Sequence, residues 1–260
     1  MPRGINDYDT ARLQGRLWTP IVLRPDFWFD AADPGTVTVS SNNVTQWRDK
    51  SGNGRHLSTG SLFPSYRLEG KNGLNVLSFS DDSLVATGLS INYTQQSTFV
   101  AVRPDTSISI MRIWTQSDAG DDFNLGGNEY IPLTRVNDPV IIGAYTNGNI
   151  RSSFTIESLT WNILDSVRDA SQVQTAVNGT LQSAYSTVWP GRTFTRFGIT
   201  NTIGGGGTNN YTGDYAEAIV LPIATSFRER SLVQGYLAWK WAIPLAADHP
   251  FANRPPLIGD

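Results

Sequence analysis

The chain has 260 residues, 39% of them hydrophobic and eight of them tryptophan, with 20 basic against 23 acidic side chains and no cysteine. That is enough apolar material for one buried core, and β-rich chains of this length commonly form a single domain. A net charge of −3 gives no field suited to phosphate backbones or anionic lipid, so nucleic acid is not an expected partner, and the missing thiols exclude disulfides and thiolate metal sites.

The N-terminus lacks the apolar core of a signal peptide, and no stretch approaches the roughly 18 uninterrupted apolar residues of a membrane span. Synthesis in the cytosol without a signal peptide, and no membrane insertion, are therefore expected. Residues 1–20 intersperse Asp7, Asp9, Arg12, Gln14 and Arg16 with Ile5, Tyr8, Leu13, Leu17 and Trp18 ahead of Pro20. This reads as a docking arm, with Tyr8, Leu13 and Trp18 as apolar anchors and Arg16 as a paired charge at the rim.

Beyond the arm, 24 glycines and 14 prolines break the chain into short runs, many of which alternate as a half-buried strand should. Strands are predicted at Thr36 to Ser40, Val44 to Arg48, Leu74 to Phe79, Thr98 to Arg103, Ile108 to Trp114, Val140 to Tyr145, Trp161 to Arg168, Val173 to Val177, Phe194 to Ile199 and Tyr215 to Leu221. Asn178-Gly179 accepts the positive φ values of a two-residue type I′ hairpin turn, so Thr180 to Tyr185 should return antiparallel. Ser226-Phe-Arg-Glu229 spells a capping box. The helix it opens carries Leu232, Val233, Tyr236 and Leu237 on one face, with Arg228, Arg230 and Lys240 predicted on the solvent side, and Pro244 stops it. Pro255-Pro256 stiffens an extended tail over residues 252–260.

Residues that carry chemistry are sparse. Glycosidases need two carboxylates flanking the scissile bond, yet no Glu-x-Asp-x-x-Glu run occurs, and Glu217, between Tyr215 and Ile219, reads as a hydrogen-bonded structural glutamate. The two histidines, His56 and His249, are far apart, no Gly-x-Ser-x-Gly elbow accompanies them, and no zinc spacing exists. No catalytic residue is assigned. Asp118, Asp121 and Asp122 form the densest acidic loop and Asp81-Asp82 a second; both are weak calcium candidates beside a reading as solvated loop carboxylates, so no cofactor is expected. Gly204 to Gly207 lead into a strand rather than a helix, which removes a phosphate-loop reading. Trp114, Trp161 and Trp189 are candidate sugar platforms, to be weighed against burial in the core.

Asp26-Phe-Trp-Phe-Asp-Ala-Ala-Asp33, Val44-Thr-Gln-Trp-Arg-Asp-Lys-Ser-Gly-Asn-Gly54, Asn72-Gly-Leu-Asn-Val76 and the block from Gly213 to Phe251 resemble the concanavalin A-like, laminin G-like jelly rolls of bacteriophage and prophage structural proteins. The resemblance spans residues 21–251. It implies an all-β, two-sheet antiparallel jelly-roll sandwich with one short C-terminal helix. It also implies a non-enzymatic virion protein, a capsid decoration or tail-fibre component on the virion surface, docked by its arm to capsid or tail proteins, homo-oligomeric, with glycan contact for host attachment. A soluble carbohydrate-binding, lectin-like module is the alternative, and a glycoside hydrolase the third reading.

Overall fold

The strand Tyr211–Leu221 organises the molecule, because both of its faces are covered. It runs antiparallel to Gln96–Pro104 along one side; on the other, it pairs with Leu74–Asp82 through its first half and with Phe27–Asp30 through its second. The structure is a computed structural model that describes residues 16–59, 62–105, 110–117, 130–136, 141–146, 149–187, 191–199 and 210–260. Tyr211, Tyr215, Ala218 and Val220 face an inner cluster with Phe27, Phe29, Trp47, Val100 and Trp114, while Ala216, Ile219 and Leu221 join an outer cluster beneath the helix. A strand buried on both faces reads as a near-continuous apolar run, which is what Ala216 to Leu221 shows apart from Glu217.

The strands do not form two separate sheets. Among the described residues, eighteen of them join into one continuous sheet, with a separate two-stranded ribbon made by Ile91–Tyr93 and Arg192–Phe194. The expected two-sheet jelly-roll sandwich is corrected accordingly. The physical reason lies in very short linking strands: Leu57–Ser58 pairs with both Asn43–Trp47 and Leu84–Ala86, and Leu84–Ala86 pairs with Arg196–Ile199, which pairs in turn with Ile110–Ser117. These links carry the hydrogen-bond ladder around the edge, and the sheet curls over its own inner cluster. Across that core the Trp114 ring lies 6.1 Å from both Phe27 and Phe29, and Tyr215 Oη donates to the Ile113 carbonyl at 3.2 Å.

Two local signals hold as read. Asn178 and Gly179 have φ of 49° and 84° and join Gln172–Val177 to Thr180–Leu181. Ser226 caps the helix Phe227–Trp241, with both bonds of the capping box formed. Leu232, Val233, Tyr236 and Leu237 are buried against the sheet. Arg230 and Lys240 depart from the expected solvent side: Arg230 is buried on Asp165, and Lys240 reaches Asp30 and Glu217.

The segment Arg16 to Trp18 meets the C-terminal tail. Leu17 bridges Leu257, Trp18 N–H donates to the Pro256 carbonyl at 3.0 Å, and Ile258 N–H donates to the Arg16 carbonyl at 2.6 Å. The Trp18 ring sits edge-on to Tyr236 of the helix, 6.4 Å between centroids.

Candidate functional site

Three polar clusters sit on the helix-bearing face of the sheet, and they differ in what they leave open. The first surrounds Glu217. A bulge between Tyr215 and Glu217 in the pairing with Gln96–Pro104 turns Tyr215 inward and Glu217 outward, so the two do not share a face as strict alternation predicts. The fully buried carboxylate accepts from Trp28 Nε1 (2.7 Å), Tyr236 Oη (2.9 Å), Trp241 Nε1 (2.7 Å) and Lys240 Nζ (2.7 Å). Directly opposite lies Asp30, which shares Lys240 at 2.6 Å and takes Lys50 at 2.8 Å, with Asp33 also on Lys50. Burial raises the Glu217 carboxyl, with Lys240 opposing; burial would raise Asp30 as well, but Lys240 and Lys50 outweigh it and hold it below its usual value. With every lone pair of Glu217 engaged, this pair clamps helix to sheet and offers no carboxylate to a reacting bond.

The second cluster ties the helix to the other side of the sheet and to the tail. Asp165 Oδ1 receives Arg230 Nε at 2.8 Å and NH2 at 2.6 Å, and Oδ2 receives Gln234 Nε2 at 2.7 Å. His249 Nδ1 accepts from Phe251 N–H at 3.1 Å, which places the ring proton on Nε2, 2.9 Å from Gln234 Oε1. The His249 ring also fills the space where a Cβ on Gly179 would stand, 2.7 Å from Cδ2. Burial lowers the His249 pKa below 6.5, with Asp248 opposing. The unfolded chain therefore binds the proton more tightly, so this contribution to stability is present above 6.5 and is lost as pH falls through the depressed folded value. Thermal melts across that window should show a slope in the parent that His249→Gln removes; an unchanged slope would assign it to other groups.

The loop Trp47 to Gly54 is a turn scaffold. Asp49 accepts from Trp28 N–H, Ser51 N–H, Ser51 Oγ and Arg55 N–H, and His56 Nδ1 accepts from Asp49 N–H. Asp26 Oδ2 accepts from Tyr93 Oη at 2.7 Å, and burial pushes that phenol well above its ordinary value, which argues against Tyr93 as a nucleophile.

The third cluster is open. Asp214 is opposite Arg103 on one side and Ser78 on the other, and Ser78 is opposite Ser65; residues paired in this way share a sheet face. Trp161 precedes Asn162, which is opposite Val102, so it falls on the rung beside Arg103. The result is one row of five positions, Trp161, Arg103, Asp214, Ser78 and Ser65, with Trp161 just ahead of the strand Asn162–Arg168. Asp214 is 2% exposed, and its Oδ2 takes Arg67 NH1 at 2.9 Å and Arg103 NH2 at 2.7 Å, while those arginines are 48% and 29% exposed. A buried carboxylate thus fixes two guanidinium groups that stay partly exposed, and Trp161, on the rung beside Arg103, is half-buried and packed against the outer cluster. Such a surface can stack an apolar ring face and donate to several oxygens.

Of the tryptophan candidates, Trp161 lies on this row, Trp114 is fully buried in the inner core, and Trp189 lies outside the described residues. Tyr8, Leu13, Asp118, Asp121 and Asp122 also lie outside them. Arg16 is exposed and Trp18 is buried against Tyr236 of its own domain. Asp81 and Asp82 order their own turn, accepting from Asn210 N–H and Ser80 N–H. Among the described residues no group of three His, Asp or Glu is placed to hold a metal ion, and no helix is long and apolar enough to cross a membrane. Arg67, Arg103 and Asp214 escaped the sequence reading, because nothing local marks residues of three different strands as neighbours.

No protein-family model matches the chain, and the comparison with curated proteins gives no match. Solved structures do match its fold. A GH54 α-L-arabinofuranosidase mutant soaked with 4-nitrophenyl α-L-arabinofuranoside is similar over 76% of this chain, with TM-score 0.56 and 15% identity. Trypanosoma rangeli sialidase in complex with sialic acid is similar over 80%, with TM-score 0.55 and 10% identity. Domain 4 of an extracellular GH43 arabinanase from Geobacillus stearothermophilus, in complex with arabinotriose, is similar over 79% of this chain and 95% of its own length, with TM-score 0.53 and 13% identity. The chain spans 51% of the arabinofuranosidase and 32% of the sialidase.

These likenesses correct the expectation drawn from the phage resemblance. The fold is shared with glycoside hydrolases and a sialidase rather than with phage structural jelly rolls, so the virion-protein reading, its capsid and tail partners and its placement on a virion surface are overturned. The expectation of a non-enzymatic protein is corrected with them, since it rested on that resemblance and on absent motifs, whereas the solved structures similar in fold are an α-L-arabinofuranosidase and a sialidase, of which the chain spans only part.

Proposed function

We propose that this chain is a saccharide-recognising domain of a carbohydrate-active protein. The observation that carries the reading is the likeness spanning 95% of the other chain, a single arabinanase domain in complex with arabinotriose. The open row of Trp161, Arg103 and Asp214 supplies the matching chemistry, a ring for stacking beside fixed N–H donors. Isothermal titration with arabinotriose, sialyllactose and xylotriose tests it: saturable heat with at least one is expected, and none with all three overturns it.

Hydrolysis of the bound saccharide is the second reading, favoured by the likeness to the arabinofuranosidase over 76% of this chain. Asp30, Glu217 and Asp165 are sealed by their partners, so the acid and base of such a reaction are other carboxylates. Release of 4-nitrophenol from 4-nitrophenyl glycosides distinguishes binding alone from turnover.

A further inference from the structure

We infer that the ligand of this domain is an extended oligosaccharide that lies across the strands, with one sugar on Trp161 and later units running past Arg103 to Arg67; this rests on the saccharide-recognition reading. Trp161, Arg103, Asp214, Ser78 and Ser65 follow the hydrogen-bonding direction of the sheet, where neighbouring strands are about 4.8 Å apart. From Trp161 to Asp214, which holds both guanidinium groups, is two such intervals, about 10 Å, still longer than a single sugar ring. The two ends also differ in chemistry. The Trp161 end offers an apolar face, and at Asp214 the Arg67 side chain, reaching in from Ser65–Lys71, offers the more exposed guanidinium of the pair.

The middle of the row is built to stay in place. Asp214 Oδ2 receives Arg103 Nε at 2.8 Å as well as Arg67 NH1 at 2.9 Å, so two long side chains are ordered before any ligand arrives. Ordering them beforehand removes an entropy cost that surface arginines otherwise incur on binding. Gly213 lets the strand lie close at this point: a Cβ there would stand 2.3 Å from the Arg103 carbonyl. The helix Phe227–Trp241 covers the neighbouring part of the same face, over Val76, Ala101 and Ile163. It leaves the row as a strip beside the helix.

The experiment is a titration series with arabinose, arabinobiose, arabinotriose and arabinotetraose, repeated with xylose and its oligomers, for the parent, Arg67→Ala and Trp161→Leu. Leu keeps apolar packing at the half-buried position while removing the ring, and thermal melts confirm that each variant is folded. Affinity of the parent should rise with chain length and then level. Trp161→Leu should weaken every length. Arg67→Ala should leave the monosaccharide unchanged and remove the gain from the longer chains, roughly tenfold, the worth of one hydrogen bond to a charged group. Affinity flat with length, or an Arg67→Ala loss equal for all lengths, overturns the extended ligand and leaves saccharide recognition standing. No binding of any probe by the folded parent overturns recognition itself.

Discussion

Glu217→Gln should cost the protein about 3–5 kcal/mol, the range seen when one partner of a buried ion pair is removed, and lower the melting temperature by roughly 10 °C for a domain of this size. The exchange is nearly isosteric, so the loss comes from electrostatics. One oxygen of Glu217 accepts from Trp28 and Tyr236, and the other from Trp241 and Lys240. An amide can serve only one of these sides. Its NH2 then faces either an indole N–H together with an ammonium, or an indole N–H together with a phenol, and buried donors are left without acceptors. Lys240 would retain Asp30 at 2.6 Å, so the cluster does not lose its cation, and the damage should concentrate where helix meets sheet. Chemical denaturation with the midpoint read by tryptophan fluorescence checks this, since Trp28 and Trp241 touch the group. A shift below about 1 kcal/mol, within the ordinary range for surface substitutions, would show that the cluster is not what holds the helix down.

What could be read from the sequence was whatever is local. The Asn178-Gly179 turn and the Ser226 capping box are each specified within four residues, and both formed. The strand Tyr211–Leu221 was legible from Tyr215 onward for the same reason. The orientation of Glu217 was not, because the bulge that turns it outward is set by pairing with Gln96–Pro104, more than a hundred positions earlier. Arg230 and Lys240 sit where a helical wheel puts solvent, and only the sheet's own carboxylates draw them inward. The joining of the strands into one sheet depends on Leu57–Ser58, two residues, too short for any periodicity to register. The open row illustrates the same limit: Trp161 stood out as a residue type, whereas Arg103, Asp214 and Arg67 become a site only through register.

Arg230→Met should be nearly as costly as the loss at Glu217, and its deficit should shrink in acid. Met keeps an apolar stem and removes the guanidinium, which now donates twice to Asp165 Oδ1 and also to Gln174 Oε1 at 2.9 Å. Asp165 would retain Gln234 alone. Burial already raises the Asp165 carboxyl, with Arg230 as the main opposing influence, so removing Arg230 raises it further. A carboxyl whose folded value lies above its unfolded value contributes stability that is fully present below the unfolded value and is lost as pH rises through the folded one. At neutral pH the variant must therefore bury an unpaired charge or take up a proton, at a cost of about 3–5 kcal/mol. As pH falls the proton comes at less cost and the deficit against the parent should shrink. The His249 slope works in the reverse direction and is common to both proteins, so the difference between their stability curves isolates Asp165. Equal deficits at pH values above and below the Asp165 titration would show that Arg230 acts by packing rather than by charge.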